Sequence, residues 1–355
     1  MTAEPAATPA PAASEAAAPM PAPDNVLLTV TDLVQRFRVP GGVLDAVAGV
    51  GFSLERGRTL GLVGESGCGK STLARAILQL PGPTSGSVVF AGQDLTTLSG
   101  KRLRAVRRRI QMVFQDPVSA LNPRRRIKDI VAEGLVIAGV PQAEIGPRVA
   151  AVLRKVGLDP ESVSDRRPHE FSGGQCQRIA IARAMVVDPD LLICDEPVAS
   201  LDVSVQAQVL DLLDEMKAST GVSMIFVAHD LAVVRNISDD VAVMYLGLIC
   251  EIGDTDAVYD TPAHPYTRAL LDAVPAPNPQ AGHAGPALAG EIPSPVNPPS
   301  GCRFRTRCPL ASPRCASEVP ALREVARGHR VACHFPLVGG VGGAEDAVSG
   351  EAPVS

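Results

Sequence analysis

A glycine-rich loop between two apolar segments is the feature that most constrains this chain. The stretch Thr59–Leu73 reads TLGLVGESGCGKSTL and matches the pattern G-x-x-x-x-G-K-[ST] in full. Glycine permits positive φ values and close approach of the backbone, so successive N–H groups can converge on phosphate oxygens at the start of a helix. The stretch therefore predicts a strand, a phosphate-binding loop and a helix, in that order.

The side chains of this loop fit a nucleoside triphosphate with Mg²⁺. Lys70 supplies a mobile cation for the β and γ phosphates, Ser71 can place its hydroxyl on Mg²⁺, and Thr72 lies where it can also meet phosphate. The predicted nucleotide-binding residues of the loop are Gly64, Glu65, Ser66, Gly67, Cys68, Gly69, Lys70, Ser71 and Thr72.

Composition limits the class of protein. The chain has 355 residues, 46% of them hydrophobic, which is enough for one large core and an appended unit. A formal charge of −5 argues against a general nucleic-acid-binding protein. A chain that hydrolyses nucleotides is expected in the reducing cytosol, so its eight cysteines do not predict a disulfide framework.

Both ends of the chain are predicted to be disordered. Residues 1–24 are rich in Ala and Pro and lack the charged start of a secretion signal, and residues 337–355 are rich in Gly and acidic residues. The longest apolar runs, such as Val241–Cys250, fall well short of the ~20 residues that cross a bilayer.

Polar residues follow two apolar strands in the second half of the chain. Asp195 and Glu196 end the predicted strand Leu191–Cys194, and His229 follows Val222–Ala228. An Asp-Glu pair after a strand usually means little. Together with the phosphate-binding loop, however, the Asp can complete a Mg²⁺ shell, the Glu can polarise a water, and the His can sense the γ-phosphate.

Between these halves the pattern becomes helical. Apolar periodicity over residues 116–170 predicts an inserted helical segment, which is followed by Phe171–Gln175 with the sequence FSGGQ. Ser172 can cap the helix that follows, and Gly173 and Gly174 expose backbone N–H groups at its start, an arrangement that binds anions. Upstream of the loop, Phe37 has two open interpretations, a core side chain or a ring that stacks on adenine.

Together these motifs resemble the ATP-binding cassette (ABC) ATPases in order and approximate spacing. The resemblance covers about Val26–Arg268 and rests on Gly64–Thr72, Gln115, Phe171–Gln175, Leu191–Glu196, Ser200–Asp202 and His229. It implies an α/β P-loop NTPase fold over residues 25–270. That fold has a mostly parallel core sheet with helices on both faces, an antiparallel β subdomain, and a helical insertion at 116–171 that ends in the signature motif.

The resemblance also implies roles for individual residues. Glu196 would be the catalytic base, assisted by Lys70, Gln115 and His229, with Mg²⁺ held by Ser71, Gln115 and Asp195. The signature residues Ser172, Gly173, Gly174 and Gln175 would contact ATP on a second cassette, Asp202 would be the D-loop acid, and Phe37 would stack on adenine. Two departures are Phe171, where many members have Leu, and the order Ala199-Ser200 before Leu201-Asp202.

The C-terminal part of the chain resembles one particular family within the ABC ATPases. His264–Thr267 and Gly290–Pro309 resemble the small loop-rich extension, here 271–336, of the oligopeptide and dipeptide permease ATPases, and related nickel importers share much of it. Phe114–Pro117, Leu121–Pro123 and Phe171–Arg178 resemble in particular the ATPase subunit that this family designates by the letter F.

Four cysteines, Cys302, Cys308, Cys315 and Cys333, are concentrated in this extension. Their spacing matches neither the C-x-x-C pairs of zinc sites nor the usual ferredoxin runs, so reduced structural cysteines are one interpretation. Four thiolates can also close a tetrahedral shell, and some members of the permease family carry an iron–sulfur cluster there. A [4Fe-4S] cluster, or alternatively Zn²⁺, is therefore a second interpretation.

The resemblance implies an importer's ATPase subunit at the cytoplasmic face of the cell membrane. It would work with a second, non-identical ABC ATPase, two integral-membrane permease subunits and an extracytoplasmic solute-binding protein, and no nucleic-acid partner is expected. The solute would be an oligopeptide or dipeptide, with nickel as the alternative. An alternative of another class is a soluble cassette ATPase that acts on nucleic acid or ribosomes, but the single cassette and acidic balance disfavour it.

Overall fold

A computed structural model describes residues 25–273 and 290–337. The predicted tail at 1–24 and residues 274–289 of the predicted extension lie outside the described residues. Of the predicted tail at 337–355 only Leu337 is described, and its backbone N–H donates to the carbonyl of Ala263 at 2.8 Å.

The strands fall into two sheets. They are β1 (Val26–Val39), β2 (Gly42–Glu55), β3 (Thr59–Val63), β4 (Ser85–Phe90), β5 (Gln93–Asp94), β6 (Ile110–Val113), β7 (Leu191–Asp195), β8 (Ser223–Val227), β9 (Asp240–Tyr245), β10 (Leu248–Asp254), β11 (Arg323–Ala326) and β12 (His329–Val331).

The α-helices are distributed along the whole described chain. They are α1 (Lys70–Ile77), α2 (Gly100–Arg107), α3 (Pro117–Ala120), α4 (Ile127–Ile137), α5 (Gln142–Lys155), α6 (Pro160–Val163), α7 (Gly173–Met185), α8 (Val203–Thr220), α9 (Leu231–Ile237), α10 (Thr255–Asp260), α11 (Pro265–Asp272) and α12 (Pro313–Ser317); 3₁₀ turns span Leu95–Thr97 and Pro168–Glu170.

The central sheet has the strand order β11-β12-β10-β9-β3-β8-β7-β6, and β6, β7, β8, β3 and β9 pair in parallel. Strands β3, β7 and β8 are buried at every position. Such strands read as continuous apolar runs because helices cover both faces of a parallel sheet. The predicted α/β fold with a mostly parallel core is confirmed, and it brings the ends of β3, β7 and β8 to one edge.

The antiparallel sheet, with the order β2-β1-β4-β5, is longer than the sequence predicted. The sequence pattern by itself favours only short strands at Val26–Val30 and Gly51–Leu54, with a Gly/Val-rich connection between them. The structure instead pairs β1 and β2 almost end to end, from Val26 opposite Glu55 to Val39 opposite Gly42. Bulges in this pairing interrupt the alternation of apolar and polar residues, which explains why the pattern underestimated both strands.

The helical insertion packs its own core on α7. Apolar side chains of α4 and α5, such as Ile130, Leu135 and Val149, are buried with Ile179 and other residues of α7 in one of the two large core clusters. The helix after the signature begins at Gly173, because Ser172 caps it there. The insertion is therefore anchored to the core through the same helix that carries the signature.

The C-terminal extension continues the central sheet. Strand β12 pairs antiparallel with β10, Ile252 lying opposite Arg330, and β11 pairs with β12 at the edge. Phe304 is fully buried against Tyr245 and Tyr266, whose ring centroids lie 5.3 Å from its own. This loop-rich unit is thus joined to the ATPase core by both backbone pairing and aromatic packing.

Candidate nucleotide-binding and hydrolysis site

The loop between β3 and α1 has the close backbone packing that its glycines predict. A Cβ on Gly64, where φ is +149°, would lie 2.1 Å from the carbonyl oxygen of Met244. A Cβ on Gly69, where φ is +108°, would lie 2.1 Å from the carbonyl oxygen of Ala46. No side chain fits at such distances, so these two positions require glycine.

Lys70 is buried at the start of α1, with 4% of its surface exposed. Its Nζ donates to the carbonyl oxygens of Gly64 at 2.8 Å and Glu65 at 3.1 Å. The loop's own carbonyls therefore hold the ammonium group at the loop, where a phosphate could replace them as its partner.

The loop forms one wall of a cavity of about 200 Å³. Phe37, half-buried near the end of β1, also lines the cavity, together with neighbours from β2. The lining residues are Phe37, Leu44, Asp45, Ala46, Gly67, Cys68, Gly69, Lys70, Ser71, Thr72, Glu196, Leu246, Gly247 and Pro295. We call this cavity, with Asp195, Gln115 and His229 at its edge, the nucleotide site.

Ser71 and Asp195 meet below this loop. The Ser71 Oγ donates to Asp195 Oδ1 at 2.7 Å, and the Asp195 side chain is fully buried at the end of β7. Burial raises the pKa of Asp195, while the hydrogen bond from Ser71 and the charge of Arg75 oppose that rise. Asp195 Oδ2 has no hydrogen-bond partner, and Arg75 Nη2 lies 3.8 Å away. An orphaned carboxylate oxygen beside a hydroxyl is a donor set that fits Mg²⁺.

Glu196, Gln115 and His229 converge from three strand ends. Gln115 Nε2 donates to Glu196 Oε2 at 3.0 Å, and His229 Nδ1 lies 3.5 Å from the same oxygen. Glu196 has a φ of +48°, in the left-handed region that non-glycine residues seldom adopt. Its backbone N–H donates to the Val227 carbonyl at 3.0 Å, which holds it in that conformation. Strained backbone of this kind concentrates at functional sites.

The signature residues form a helix start at the surface. Ser172 Oγ accepts from the Gln175 N–H at 3.3 Å, and Gln175 Oε1 accepts from the Ser172 N–H at 3.1 Å, which is a complete capping box. A Cβ on Gly174 would lie 2.5 Å from Val205 Cγ1, so glycine lets α7 approach α8. Asp202 is exposed at the start of α8. None of these residues is among those lining the cavity described above.

Several contributors to the site went unpredicted. Pro295, from the extension, lines the cavity, and Leu246 and Gly247 close it from the β9–β10 turn. Tyr266 and Arg307 contact Glu65 of the loop. The resemblance marked the segments that contain Tyr266, Pro295 and Arg307, but nothing in their local sequence indicates that they fold back onto the loop.

The four extension cysteines line one cavity, which we call the cysteine cavity. With a volume of only about 10 Å³, it is lined by His264, Pro265, Cys302, Phe304, Arg305, Cys308, Leu310, Cys315, Cys333, His334 and Phe335. Burial raises the pKa of Cys302 and Cys308, and that of Cys333 to about 11. In residues 25–273 and 290–337 no three His, Cys, Asp or Glu side chains are grouped so that they could hold a metal ion. The geometry therefore does not support the predicted zinc or cluster site.

Sequence comparison assigns this fold and site to a class. The profile of the family described as "ABC transporter" matches residues 47–199, which include the loop, Gln115, the signature and Glu196. The chain is therefore an ABC ATPase, an enzyme that hydrolyses ATP, and the predicted fold and activity are confirmed. It also resembles the structure of cbiO1 from Clostridium perfringens, part of the ABC transporter complex cbiONQ. The TM-score is 0.60 and the identity 32%, over 66% of this chain and 91% of that one.

A second set of matches gives the family within that class. The profile described as "Oligopeptide/dipeptide transporter, C-terminal region" matches residues 250–315. The oligopeptide transport ATP-binding protein OppF of Escherichia coli is 52% identical over 322 residues, covering 87% of this chain and 96% of that protein. The corresponding protein AppF of Bacillus subtilis is 47% identical, covering 88% and 98%. The chain belongs to the oligopeptide/dipeptide family of ABC transporter ATPases.

Across the described residues, no helix combines the length and apolar character that crossing a bilayer requires.

Proposed function

We propose that this chain energises the uptake of oligopeptides or dipeptides through an ABC importer. The observation that carries the proposal is the match of the family's C-terminal region at residues 250–315, in addition to the cassette itself at 47–199. The names of the relatives in Escherichia coli and Bacillus subtilis, both oligopeptide transport ATP-binding proteins, support a peptide solute.

The proposed chemistry follows from the groups that meet at the nucleotide site. Lys70 leaves the carbonyls of Gly64 and Glu65 and binds the terminal phosphates. Ser71, Asp195 and Gln115 would hold Mg²⁺, which would neutralise charge on the phosphates. Glu196 takes a proton from the attacking water, because its carboxylate lies at the edge of the cavity and is oriented by Gln115. His229, beside the same carboxylate, contacts the γ-phosphate.

The base side of the nucleotide would lie against Phe37. Its half-buried ring lines the same cavity as the loop, which supports stacking on adenine rather than a place in the core. The nucleotide-binding residues would then be Phe37 together with Gly64–Thr72.

A second cassette is part of the proposal. Gly173 and Gly174, between the capping residues Ser172 and Gln175, place helix N–H groups at the surface rather than at the cavity of their own chain, as contact with ATP on a partner would require. Asp202 would lie at the same interface. We propose that the partner is a non-identical ATPase and that this chain is the subunit designated F of the pair. Two membrane-embedded permease subunits would dock on the helical insertion 116–171 at the cytoplasmic face, and a solute-binding protein would deliver the peptide outside.

The iron–sulfur cluster, with Zn²⁺ as the alternative, also remains a proposal. The convergence of Cys302, Cys308, Cys315 and Cys333 on one cavity supports it, and the small volume and raised thiol pKa values count against it. Ligation would need the cavity to widen and the thiols to lose their protons. Anaerobic purification followed by iron, sulfide and zinc analysis tests it: absence of all three elements would end the proposal.

The experiment for the transport function is uptake by cells that lack this gene. We expect the deletion to abolish uptake of labelled tri- to pentapeptides, and a plasmid with the wild-type chain to restore it. A plasmid encoding Glu196→Gln should not restore it, although the protein accumulates. Uptake of ⁶³Ni²⁺, measured in the same strains, distinguishes a nickel importer from a peptide importer. Loss of nickel uptake with normal peptide uptake would contradict the peptide proposal.

A further inference from the structure

Glu65, the second residue of the phosphate-binding loop, is held by residues from the C-terminal part of the chain. Its carboxylate accepts two hydrogen bonds from Arg307, at 2.7 Å from Nη1 and 3.0 Å from Nη2. Its backbone N–H donates to the Tyr266 hydroxyl at 3.0 Å. Its carbonyl oxygen accepts from Lys70 at 3.1 Å. One residue therefore links the extension to the lysine of the loop.

The Arg307 side chain lies in a buried and well-defined setting. Only 4% of its side chain is exposed, against 22% for Glu65. Its Nη1 also lies 3.4 Å from the Tyr245 hydroxyl, and the guanidinium lies 5.9 Å from the centre of the Tyr245 ring. A bidentate Arg–carboxylate pair fixes direction as well as distance, which a lysine in its place would not do.

The segment that carries Arg307 is itself anchored to the ATPase core. Arg303 donates to the Leu246 carbonyl, and Leu246 lines the nucleotide site. Phe304 packs against Tyr245 and Tyr266. Strand β12 pairs with β10 nearby. The position of Arg307 is therefore determined by the core and does not depend on the Glu65 contact alone.

We infer that Arg307 is a positioning residue for ATP binding: through Glu65 it holds the phosphate-binding loop in the conformation that presents Lys70 to the phosphates. The inference rests on the proposed role of Lys70 in the nucleotide site, and it is independent of the transported solute. Arg307 does not itself line the cavity. Its loss should therefore weaken nucleotide binding more than it slows hydrolysis at saturation.

The test compares Mg-ATP affinity of full-length variants by direct titration, with the KM and kcat for ATP measured in the assembled transporter. We expect Arg307→Gln to weaken binding about tenfold, since hydrogen bonds to charged groups of this kind are worth about that factor. Arg307→Lys should recover part of the loss. In the matched control, Arg314→Gln removes a similar Arg–Glu contact, at 2.9 Å to Glu318, from the exposed surface of the same extension, and affinity should not change.

A double-mutant cycle tests whether Arg307 affects ATP binding through Glu65. If Arg307 acts through Glu65, the variant with both Arg307→Gln and Glu65→Gln should bind no more weakly than the weaker single variant. Glu65→Gln leaves the extension intact, so it carries the test if Arg307→Gln does not fold. Unchanged affinity in both folded single variants, a lowered melting temperature alone, or multiplicative effects would overturn the inference. If Lys70→Ala also leaves affinity unchanged, the proposed role of the loop lysine fails instead.

Discussion

The nucleotide site and the cysteine cavity each gather side chains from separate parts of the chain, but they are held in different ways. In the nucleotide site the converging groups are joined to one another, Ser71 to Asp195 at 2.7 Å and Gln115 to Glu196 at 3.0 Å. In the cysteine cavity the four cysteines form no disulfide with one another, and burial raises the pKa of Cys302, Cys308 and Cys333.

The groups of the nucleotide site are therefore preorganised, whereas the cysteine cavity only brings residues of one type close together. Charged and polar groups that already bond one another need little rearrangement when a charged substrate binds. The thiols of Cys302, Cys308 and Cys333, whose pKa values burial raises, surround a volume of about 10 Å³ and need both deprotonation and movement before they can ligate a metal. We therefore expect ATP hydrolysis to be far more sensitive to substitutions in the first region than to substitutions in the second.

The largest effect is expected from Glu196→Gln. The substitution keeps the size of the side chain and removes the carboxylate that would accept a proton from water. A positioned general base contributes about 10²- to 10⁴-fold, so turnover at this site should fall by that order while ATP still binds. Phosphate release is measured with a partner cassette whose own loop lysine has been replaced, so that one active site remains.

The matched control is Glu215→Gln, which removes an exposed carboxylate on α8. Its turnover should equal that of the wild type. Near-normal hydrolysis by Glu196→Gln would mean that another group, with His229 the nearest candidate, acts as the base.

The next largest effect is expected from Lys70→Ala. The substitution removes the buried cation that the loop holds at the phosphate cradle, and Mg-ATP affinity should fall by roughly 10- to 100-fold, the worth of a charge-assisted contact. Isothermal titration measures it. Lys155→Ala, an exposed lysine in the last turn of α5, is the control and should bind as the wild type does. Equal affinity in the two variants would exclude Lys70 from phosphate binding.

Much of the nucleotide site was predictable because its residues lie in contiguous motifs next to buried strands. The glycine loop between β3 and α1 is a specific local pattern, and the Asp195-Glu196 pair after β7 is interpretable once that loop is present. Parallel strands then bring their carboxyl ends together without further information. The contact of Gln115 with Glu196 follows from that topology, although the sequence alone does not give its distance.

The contribution of the extension could not be predicted in the same way. Arg307 and Glu65 are 242 positions apart, and Pro295 reaches the nucleotide site from the extension. These contacts depend on how β12 joins β10 and how Phe304 packs, which are tertiary facts with no local pattern. The cysteines show the opposite problem, since their residue type suggested metal chemistry that the described geometry does not support.

A smaller effect is expected from Asp239→Asn, which tests how firmly the strand leading into the loop is held. Asp239 accepts from the Thr59 N–H and from Lys217 Nζ, both at 2.6 Å. Burial raises the pKa of Asp239, but these hydrogen bonds and the charges of Lys217 and Arg58 outweigh it, so the net pKa is lowered. The carboxylate is partly exposed, so the variant should lose only about 1 kcal/mol of the free energy of unfolding at pH 7.

The lowered pKa of Asp239 determines how its contribution to stability changes with pH. A lowered carboxyl pKa stabilises the fold above the ordinary Asp value of 3.8, and this contribution is lost as the pH falls through the lowered pKa. The difference between wild type and Asp239→Asn in urea unfolding should therefore shrink as the pH is lowered from 5 toward 3. A difference that stays constant over this range would show that the Asp239 carboxylate is not responsible.

The smallest effect is expected from Cys333→Ser, which tests whether a change in the cysteine cavity affects the nucleotide site. The thiol of Cys333 is protonated at neutral pH because burial raises its pKa to about 11, and it makes no contact with the nucleotide site. A substitution away from such a site usually changes a free energy by less than about 0.5 kcal/mol, so the KM for ATP should stay within about twofold. The measurement is steady-state hydrolysis in the assembled transporter, with Cys176→Ser, a buried thiol of α7, as the control for thiol loss elsewhere.

A rise in KM would have a specific explanation. Arg303, Phe304 and Arg307 all lie between Cys302 and Cys308, so a change in the cysteine cavity could displace the segment that holds Glu65. A KM that rises about tenfold in Cys333→Ser, as expected for Arg307→Gln, would mean that the two regions form one coupled unit rather than two independent ones.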